Sequence, residues 1–556
     1  MKIIYNIILN LKSMGKVNIK DWNVEDESFW DSTGKKIANR NLWSSIPALL
    51  LAFSVWIMWG VLIKYMKEFG FTFGMLEGLV QGSEEYIAKL KEINSLYYTL
   101  PAIAGLSGAT LRLPNSFLIS LGGGRNVIFV TTALLLIPAI GTGLALSDIN
   151  TTYMFFAVMA LFSGFGGGNF ASSMSNISFF FPKKIQGYAL GMNAGLGNLG
   201  VGVMQKVIPL AVTVSLFGGT AGSIATAKGA PFEGLQNAAW IWVPLIALAT
   251  LGAFFGMNNV STGTPSLPNT AKGVSKTLYM VMLGLISAAV GAFMLIGLPW
   301  GDWGLKNAAM WIVLPVVVIL SVFLMKRATP SEIKQNLKKQ FSILGDKHNW
   351  IMTIIYVMTF GSFIGYSMVF PKLAQDIFVY SNALDPEWVN PNAPNIMLWA
   401  FLGPVIGALI RPFGGILSDK VNSGSKVTAW STFFQILAAL AVAYFVVQAR
   451  GTETPEQYWW PFFAAFMVLF LTTGIGNGST FRSIPYIFSK EKAGPVLGWT
   501  SAIAAYGAFI IPKVFGQQVA AGTAEYALYG FAVYYFICLL LNWWYYLGPK
   551  REFDKP

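Results

Sequence analysis

Cysteine and histidine are nearly missing from this chain, which has one of each, Cys538 and His348. Disulfide frameworks, multi-cysteine metal sites and histidine-based catalytic clusters are thereby excluded by arithmetic. Charge is scarce as well. Only 11% of the residues are Asp, Glu, Lys or Arg, against about 25% in ordinary soluble domains. The acids are fewer than the bases, 25 against 38, and they fall in loops or at the ends of apolar runs. No cleavable leader is expected. The opening MKIIYNIILNLK has too short an apolar run and no small-residue cleavage site, and Met14 offers an alternative start.

What fills the chain instead is apolar. It is 54% hydrophobic and 15% aromatic, its mean hydropathy is +0.56, and its many runs of about 20 apolar residues indicate a multi-pass membrane protein. The net charge of +13 suggests nucleic acid until the positions are inspected. About two thirds of the Lys and Arg fall in one alternating set of loops that includes both termini, which is the positive-inside pattern. The expectation is a plasma (inner) membrane protein with both termini cytoplasmic, the lipid bilayer as its medium and no nucleic-acid partner.

Apolar spans are expected near 45–66, 98–121, 126–146, 152–178, 188–210 and 238–256, then 277–299, 309–325, 350–371, 396–417, 427–448, 459–483, 494–515 and 526–547. An internal repeat relates two sets of six. FFFPKKIQGYALGMN (179–193) and YIFSKEKAGPVLGWT (486–500) align without gaps, pairing Phe181 with Phe488, Lys183 with Lys490, Gly187 with Gly494 and Gly191 with Gly498. The same register pairs Lys206 with Lys513. The pair of spans at 277–325 is left over as a hairpin between the halves. The expected fold class is an all-α membrane protein of fourteen transmembrane helices, with two pseudo-symmetric six-helix bundles plus an inserted hairpin. Two such bundles related by an axis along the membrane normal are the major facilitator architecture, and GGILSDKVNSGSK (414–426) resembles that superfamily's loop between the second and third helices of a half. The expected division is 1–44, a cytoplasmic segment; 45–256, the first bundle; 257–349, a linker with the hairpin; 350–547, the second bundle; and 548–556, a cytoplasmic tail.

Two arginines stand out against this background. Arg112, in GLSGATLRLPNSFLISL (105–121), and Arg411, in GPVIGALIRPFGGILSD (403–419), occupy the second helix of each half, and Pro114 and Pro412 follow them. A buried guanidinium costs at least about 2.5–3.5 kcal/mol at mid-bilayer, and no intramembrane carboxylate presents itself as partner. Two symmetric arginines without an acid point to an anionic substrate, and the planar, forked guanidinium suits planar oxyanions. No nucleophile–base or metal constellation accompanies them, so a transporter is expected rather than an enzyme, with no cofactor and no metal.

SGFGGGNFASSMSNISFFFP (163–182) and TGIGNGSTFRSIPYIFS (473–489) are unusually rich in small and polar residues for spans. Close helix packing is one reading. In the other, Asn169, Asn176, Asn198, Ser479 and Ser501 donate to the oxygens of a small anion. GLGNLG (195–200) lies in an apolar span without a preceding strand, so it is no dinucleotide site. The glycosylation sequon at Asn477 is expected to be buried. Lys206 and Lys513, near outer helix ends, either snorkel to the interface or draw anions inward.

GFGGGNFASSMSNISFFFPKKIQGYALGMNAGLGN and GIGNGSTFRSIPYIFSKEKAGPVLGWTSAIAAYGAF resemble the two signature regions of the nitrate/nitrite porter (NarK-like) family of the major facilitator superfamily. DWNVEDESFWDSTGKKIANRNLWSSIP (21–47) and YVMTFGSFIGYS (356–367) are similar to it too, and the likeness covers about 21–256 and 349–548. It implies a nitrate/nitrite transporter of nitrate assimilation working by alternating access, with nitrate and nitrite as its partners. It also implies that Arg112 and Arg411 bind the anion and that Phe170 and Phe360 close over it. Tyr356, Asn198, Gly498 and Ser501 would line the site, while Gly187, Gly168, Gly476 and Asn169 would serve gating or helix movement. Family members commonly have twelve helices, so the hairpin at 277–325 is a departure that suits lipid, oligomer or partner contact. Nitrate/nitrite antiport is the expected coupling, because no titratable group presents itself in the core. A proton–nitrate symporter is the alternative, and an organic-anion or phosphate-ester exchanger a more distant one.

Overall fold

The computed structural model describes residues 17–213, 234–264, 266–331, 334, 338, 341–380, 388–450, 452–554 and 556. Met14 and part of the outer loop 382–395 lie outside the described residues. The described residues form fourteen long helices, several of them interrupted. The first six are α1 (Lys35–Ile57 and Trp59–Glu68), α2 (Glu84–Asn115), α3 (Gly124–Ala133 and Leu136–Leu146), α4 (Tyr153–Ser178), α5 (Lys183–Asn198 and Gly200–Ala211) and α6 (Asn237–Trp240 and Trp242–Gly256). The hairpin is α7 (Thr270–Gly297) and α8 (Ala309–Ala328). The last six are α9 (Lys347–Tyr356, Val357–Gly361 and Ser362–Phe378), α10 (Ile396–Trp399, Leu402–Leu409 and Arg411–Lys420), α11 (Gly424–Arg450), α12 (Trp459–Ile487), α13 (Lys490–Ala504 and Gly507–Ala520) and α14 (Ala524–Asn542).

Among the described residues, eleven helices are long and apolar enough to cross a membrane, fewer than the fourteen spans expected. Those outside the eleven are α2, α5 and α13. The first turns of α2 read EEYIAKLKEINS, and the other two open on KKIQG and KEKAGP, so polar starts and small residues dilute their apolar signal. One boundary also moves. The span expected at 350–371 continues as helix to Phe378, with consequences for charge described below.

The interruptions follow the internal repeat. The register that pairs Arg112 with Arg411 pairs the break of α1 at Met58 with the wide turn of α9 that begins at Val357. The register that pairs Phe181 with Phe488 pairs the break of α5 at Leu199 with that of α13 at Tyr506. The same registers pair two glycine crossings. A Cβ on Gly167 would stand 2.5 Å from Gly108 Cα, and one on Gly474 would stand 2.5 Å from the Gly407 carbonyl oxygen. Only bare backbone permits α2 to cross α4, and α10 to cross α12, this closely. Each crossing lies one helical turn before an arginine, so the same packing sets the depth of both.

The hairpin lies along α2 and α3. A side chain at Gly284 would meet Pro114 and Leu111, and one at Gly291 would meet Leu106. Tyr279, Met282, Ile286, Phe293, Ile319 and Phe323 are exposed on its other side, an apolar surface suited to lipid. The all-α expectation needs one small amendment. Asn18–Ile19 pairs in parallel with Asn259–Val260, and nearby Trp22 donates its indole N–H to the Phe179 carbonyl at 2.8 Å. This ties the segment before α1 to the ends of α4 and α6.

Candidate anion site

Arg112 is fully buried. Its Nε donates to the Gly167 carbonyl at 2.9 Å, directly at the glycine crossing. Its Nη1 reaches α13, donating to the Ser501 carbonyl at 3.2 Å and the Ser501 hydroxyl at 3.3 Å. Its Nη2 has no hydrogen-bond partner among the described residues. Three rings face the guanidinium carbon: Phe170 at 4.7 Å, Phe360 at 5.0 Å and Trp56 at 5.2 Å from their centroids.

Arg411 opens a helical segment of α10, where Pro412 supplies no N–H to the preceding turn and breaks the helix. It is 8% exposed. Both its Nε and its Nη2 are buried without a partner among the described residues. Its guanidinium carbon lies 4.3 Å from the Phe363 centroid and 5.4 Å from that of Phe360. Phe360 therefore faces both arginines, and their separation is at most the sum of the two distances to that ring. No Asp or Glu forms an ion pair with either arginine among the described residues.

The wide turn Val357–Gly361 in α9 brings two aromatic residues together. Turns of this kind collect at functional sites. Tyr356 stacks on Phe360 at 5.8 Å and 11°, and Asn477 of α12 donates its side-chain N–H to the Tyr356 hydroxyl at 3.1 Å. Phe170 stacks on the same Phe360 at 6.2 Å and 25°. A flat anion sandwiched between two rings needs them about 7 Å apart, twice a van der Waals contact. The Phe170 and Phe360 centroids, at 6.2 Å, stand closer than that.

Other residues singled out in the sequence fall elsewhere. The Asn169 side-chain N–H goes to the Thr131 carbonyl of α3 at 3.2 Å. Ser479 shares a hydrogen bond with Thr428 of α11 at 2.7 Å. The Asn176 side chain packs where a Cβ on Gly124 would sit. Asn169 and Ser479 thus bond to neighbouring helices, while the Asn176 side-chain nitrogen is buried without a partner among the described residues. Gly168 and Gly476 serve close contact too: a Cβ there would crowd Asn115 at 2.6 Å and Thr359 at 2.7 Å. Asn198 is buried at the break of α5, with its amide N–H on the Ala194 carbonyl at 2.6 Å and its oxygen unpartnered. Gly498 faces open space, where Ser116, just past the end of α2, is the only near group among the described residues, at 3.9 Å from a built Cβ. Gly187 lies in the first segment of α5, where only the backbone is described.

Sequence reasoning missed Phe363, Trp56 and Asn477. Phe363 stands one helical turn past Phe360, a spacing that was available as a signal. It also missed a charged cluster where α9 overruns its expected end. There Lys372 pairs with Asp376, and both side chains are buried, with Lys372 at 0% and Asp376 at 6% exposure. Asp376 also takes Lys67 of α1 at 3.3 Å and the Tyr98 hydroxyl of α2 at 2.6 Å, while Lys372 donates to Asn94 of α2 at 3.0 Å. The expectation that acids stay in loops or at span ends is thus amended by a buried acid that joins α9 to α1 and α2. The paired lysines cross between halves as well. Lys513 donates to Thr99 of α2 at 3.2 Å, and Lys206 stands over the Phe401 ring, beside α10, at 5.0 Å.

No protein-family profile matches the chain. It is similar to the nitrate/nitrite transporter NarU of Escherichia coli, with 34% identity over 97% of both chains. It is 32% identical to a protein of Thermus thermophilus named a probable nitrate/nitrite antiporter, over 98% of this chain and all of that one. Among solved structures, a peptide transporter in complex with alafosfalin matches with a TM-score of 0.54 at 14% identity, covering 92% of this chain and 96% of that one. A major facilitator proton:xylose symporter matches with a TM-score of 0.50 at 14% identity, covering 94% and 98%. These likenesses show the major facilitator fold.

Proposed function

The chain belongs to the nitrate/nitrite transporter family of major facilitators, and from that premise we propose that it exchanges nitrate for nitrite across the inner membrane, holding the anion between Arg112 and Arg411. The observation that carries the reading is the set of buried guanidinium nitrogens without partners: Nε and Nη2 of Arg411 and Nη2 of Arg112. Nε and Nη2 of one guanidinium point their hydrogens in parallel from one edge, the geometry that grips two oxygens of a planar anion. Arg411 offers that whole edge and Arg112 a single nitrogen, a donor set for the three oxygens of nitrate. Phe170 and Phe360 would part and cover its faces, with Tyr356, Asn198, Ser501 and Gly498 around it.

Transport follows from charge. Two cations facing one ring repel each other in a low-dielectric interior, and a monoanion between them offsets that repulsion and bridges the halves. Movement between inward and outward states is then favoured only with anion aboard, which makes transport an exchange. Residues 45–256 and 350–547 would rock as two bundles around the site, joined by 257–349. Gly187, Gly168, Gly476 and Asn169 would serve the helix contacts that shift. In this topology α2, α5 and α13 also cross, giving fourteen spans with 1–44 and 548–556 in the cytoplasm, and the chain acts as a carrier, not an enzyme. The outer face of the hairpin would meet lipid or a second protein.

Asp376 favours a second reading, proton–nitrate symport, because a buried carboxylate between halves is a place for a proton. Uptake of labelled nitrate into proteoliposomes separates the two. Uptake that requires internal nitrite and ignores an imposed pH gradient is expected. Gradient-driven uptake into vesicles without internal anion would overturn exchange in favour of symport, and no nitrate-dependent uptake at all would remove both.

A further inference from the structure

We infer that Asn477 is a positioning residue for the anion, holding the Tyr356 hydroxyl as a donor toward the arginines; this rests on the anion-site reading above. Asn477 is 1% exposed, too deep in α12 to be reached by the glycosylation that its sequon suggests. Its side-chain nitrogen can only donate. The Tyr356 oxygen, 3.1 Å away, must therefore accept, and the single phenolic proton stays free for another acceptor. No described residue takes that proton.

The tyrosine ring has little freedom to turn elsewhere. It is 1% exposed, stacked on Phe360 and met edge-on by Phe481 at 5.0 Å. The Phe360 ring on which it stacks lies 5.0 Å from the Arg112 guanidinium carbon and 5.4 Å from that of Arg411. An anion seated between the arginines is the acceptor that would complete the network. The internal repeat adds weight. The register pairing Phe181 with Phe488 places Asn477 opposite Phe170, so each half sends one α4-type residue to the aromatic pair of α9. One half sends a ring against Phe360, the other an amide to Tyr356.

The test is a double-mutant cycle in proteoliposomes, with Asn477→Ala and the near-isosteric Asn477→Leu made alone and in a Tyr356→Phe background. Alone, each should raise the KM for nitrate by about fivefold, less than the tenfold or more of losing a hydrogen bond to a charged ligand outright because the hydroxyl is loosened and not removed, with little change in maximal rate. In the Tyr356→Phe background neither should raise it further, because the hydroxyl they position is gone. Equal losses in both backgrounds, or a fall in maximal rate at unchanged KM, would mean Asn477 acts through packing and would overturn the inference. Arg411→Lys is run in parallel. If it transports normally, the anion-site reading itself fails. If it is inactive while the Asn477 variants match the unmodified protein, only the role of Asn477 fails.

Discussion

Arg112 and Arg411 occupy matching turns of α2 and α10 beside matching glycine crossings, yet their surroundings differ. Arg112 is anchored. Its Nε rests on the Gly167 carbonyl, its Nη1 on Ser501 across the seam between halves, and three rings surround it. The repeat places Gly474 where Arg411 would find the same carbonyl, but Arg411 Nε makes no such bond. Symmetry of backbone does not enforce symmetry of partners. An anchored guanidinium keeps its geometry whether or not an anion is near, while an uncompensated one gains most when the anion comes. The first suits a fixed half of a site and the second a half that responds.

The strongest test of that contrast is to remove the fork but keep the charge. Arg411→Lys leaves an ammonium with no side-on pair. Losing two charge-assisted bonds should weaken nitrate binding at least about a hundredfold. Arg112→Lys removes one anion-facing nitrogen along with two anchors, so its binding loss should be smaller, while its transport rate suffers through the lost link to Ser501. Titration calorimetry on the purified variants separates affinity from rate. A larger binding loss for Arg112→Lys would reverse the assignment of fixed and responsive halves.

A second contrast lies along the molecule rather than across it. The middle of the seam holds cations without acids, whereas the end where α9 meets α1 and α2 holds a buried acid with two lysines. On the proposed reading the first closes around an anion, whereas the second is already paired by its own partners. Asp376→Asn would leave Lys372 buried without its counter-charge, with only neutral amide oxygens to receive it, and breaking a buried pair costs about 3–5 kcal/mol. The halves should then part at that end. A cysteine placed at Thr99 should react several-fold faster with a membrane-impermeant maleimide in Asp376→Asn than in the otherwise unmodified protein, where the native Cys538 is buried. An unchanged rate would show that Asp376 does not hold the seam shut.

These contrasts were unequally legible in the sequence. The two arginines were plain because a guanidinium in an apolar run is costly, and the aromatic residues of α9 came through a resemblance between long motifs. The roles of Asn169, Asn176 and Ser479 were not legible. In stretches as uniformly small as α4 and α12, spacing does not say which side of the helix faces a neighbour, and all three turned toward other helices. Asp376 was hidden for a different reason. A hydropathy boundary marks where apolar residues stop, near 371, but the helix goes on to Phe378 because Lys372 and Asp376 satisfy each other and find partners on α1 and α2. Apolarity measures affinity for lipid, whereas helices inside a bundle answer to one another.

The smallest expected effect sharpens the first contrast. Ser501 meets Arg112 twice, through its carbonyl and its hydroxyl. Ser501→Ala removes only the hydroxyl, whose bond at 3.3 Å is the longer one. The backbone carbonyl would still hold Nη1, so the arginine should stay in place. A bond to a charged group is ordinarily worth about 1.5–3 kcal/mol, but this one is long and shares its nitrogen with the carbonyl, so about 0.5–1 kcal/mol is expected, and nitrate affinity should fall by about threefold with the exchange rate nearly unchanged. If the hydroxyl instead leaves Arg112 and joins the anion during binding, the loss would approach that of a charge-assisted bond, tenfold or more. Comparing Ser501→Ala with Ser501→Thr, which keeps the hydroxyl, distinguishes the two. Recovery of affinity in the threonine variant assigns the loss to the oxygen, and failure to recover assigns it to the added or missing bulk at the seam between α2 and α13.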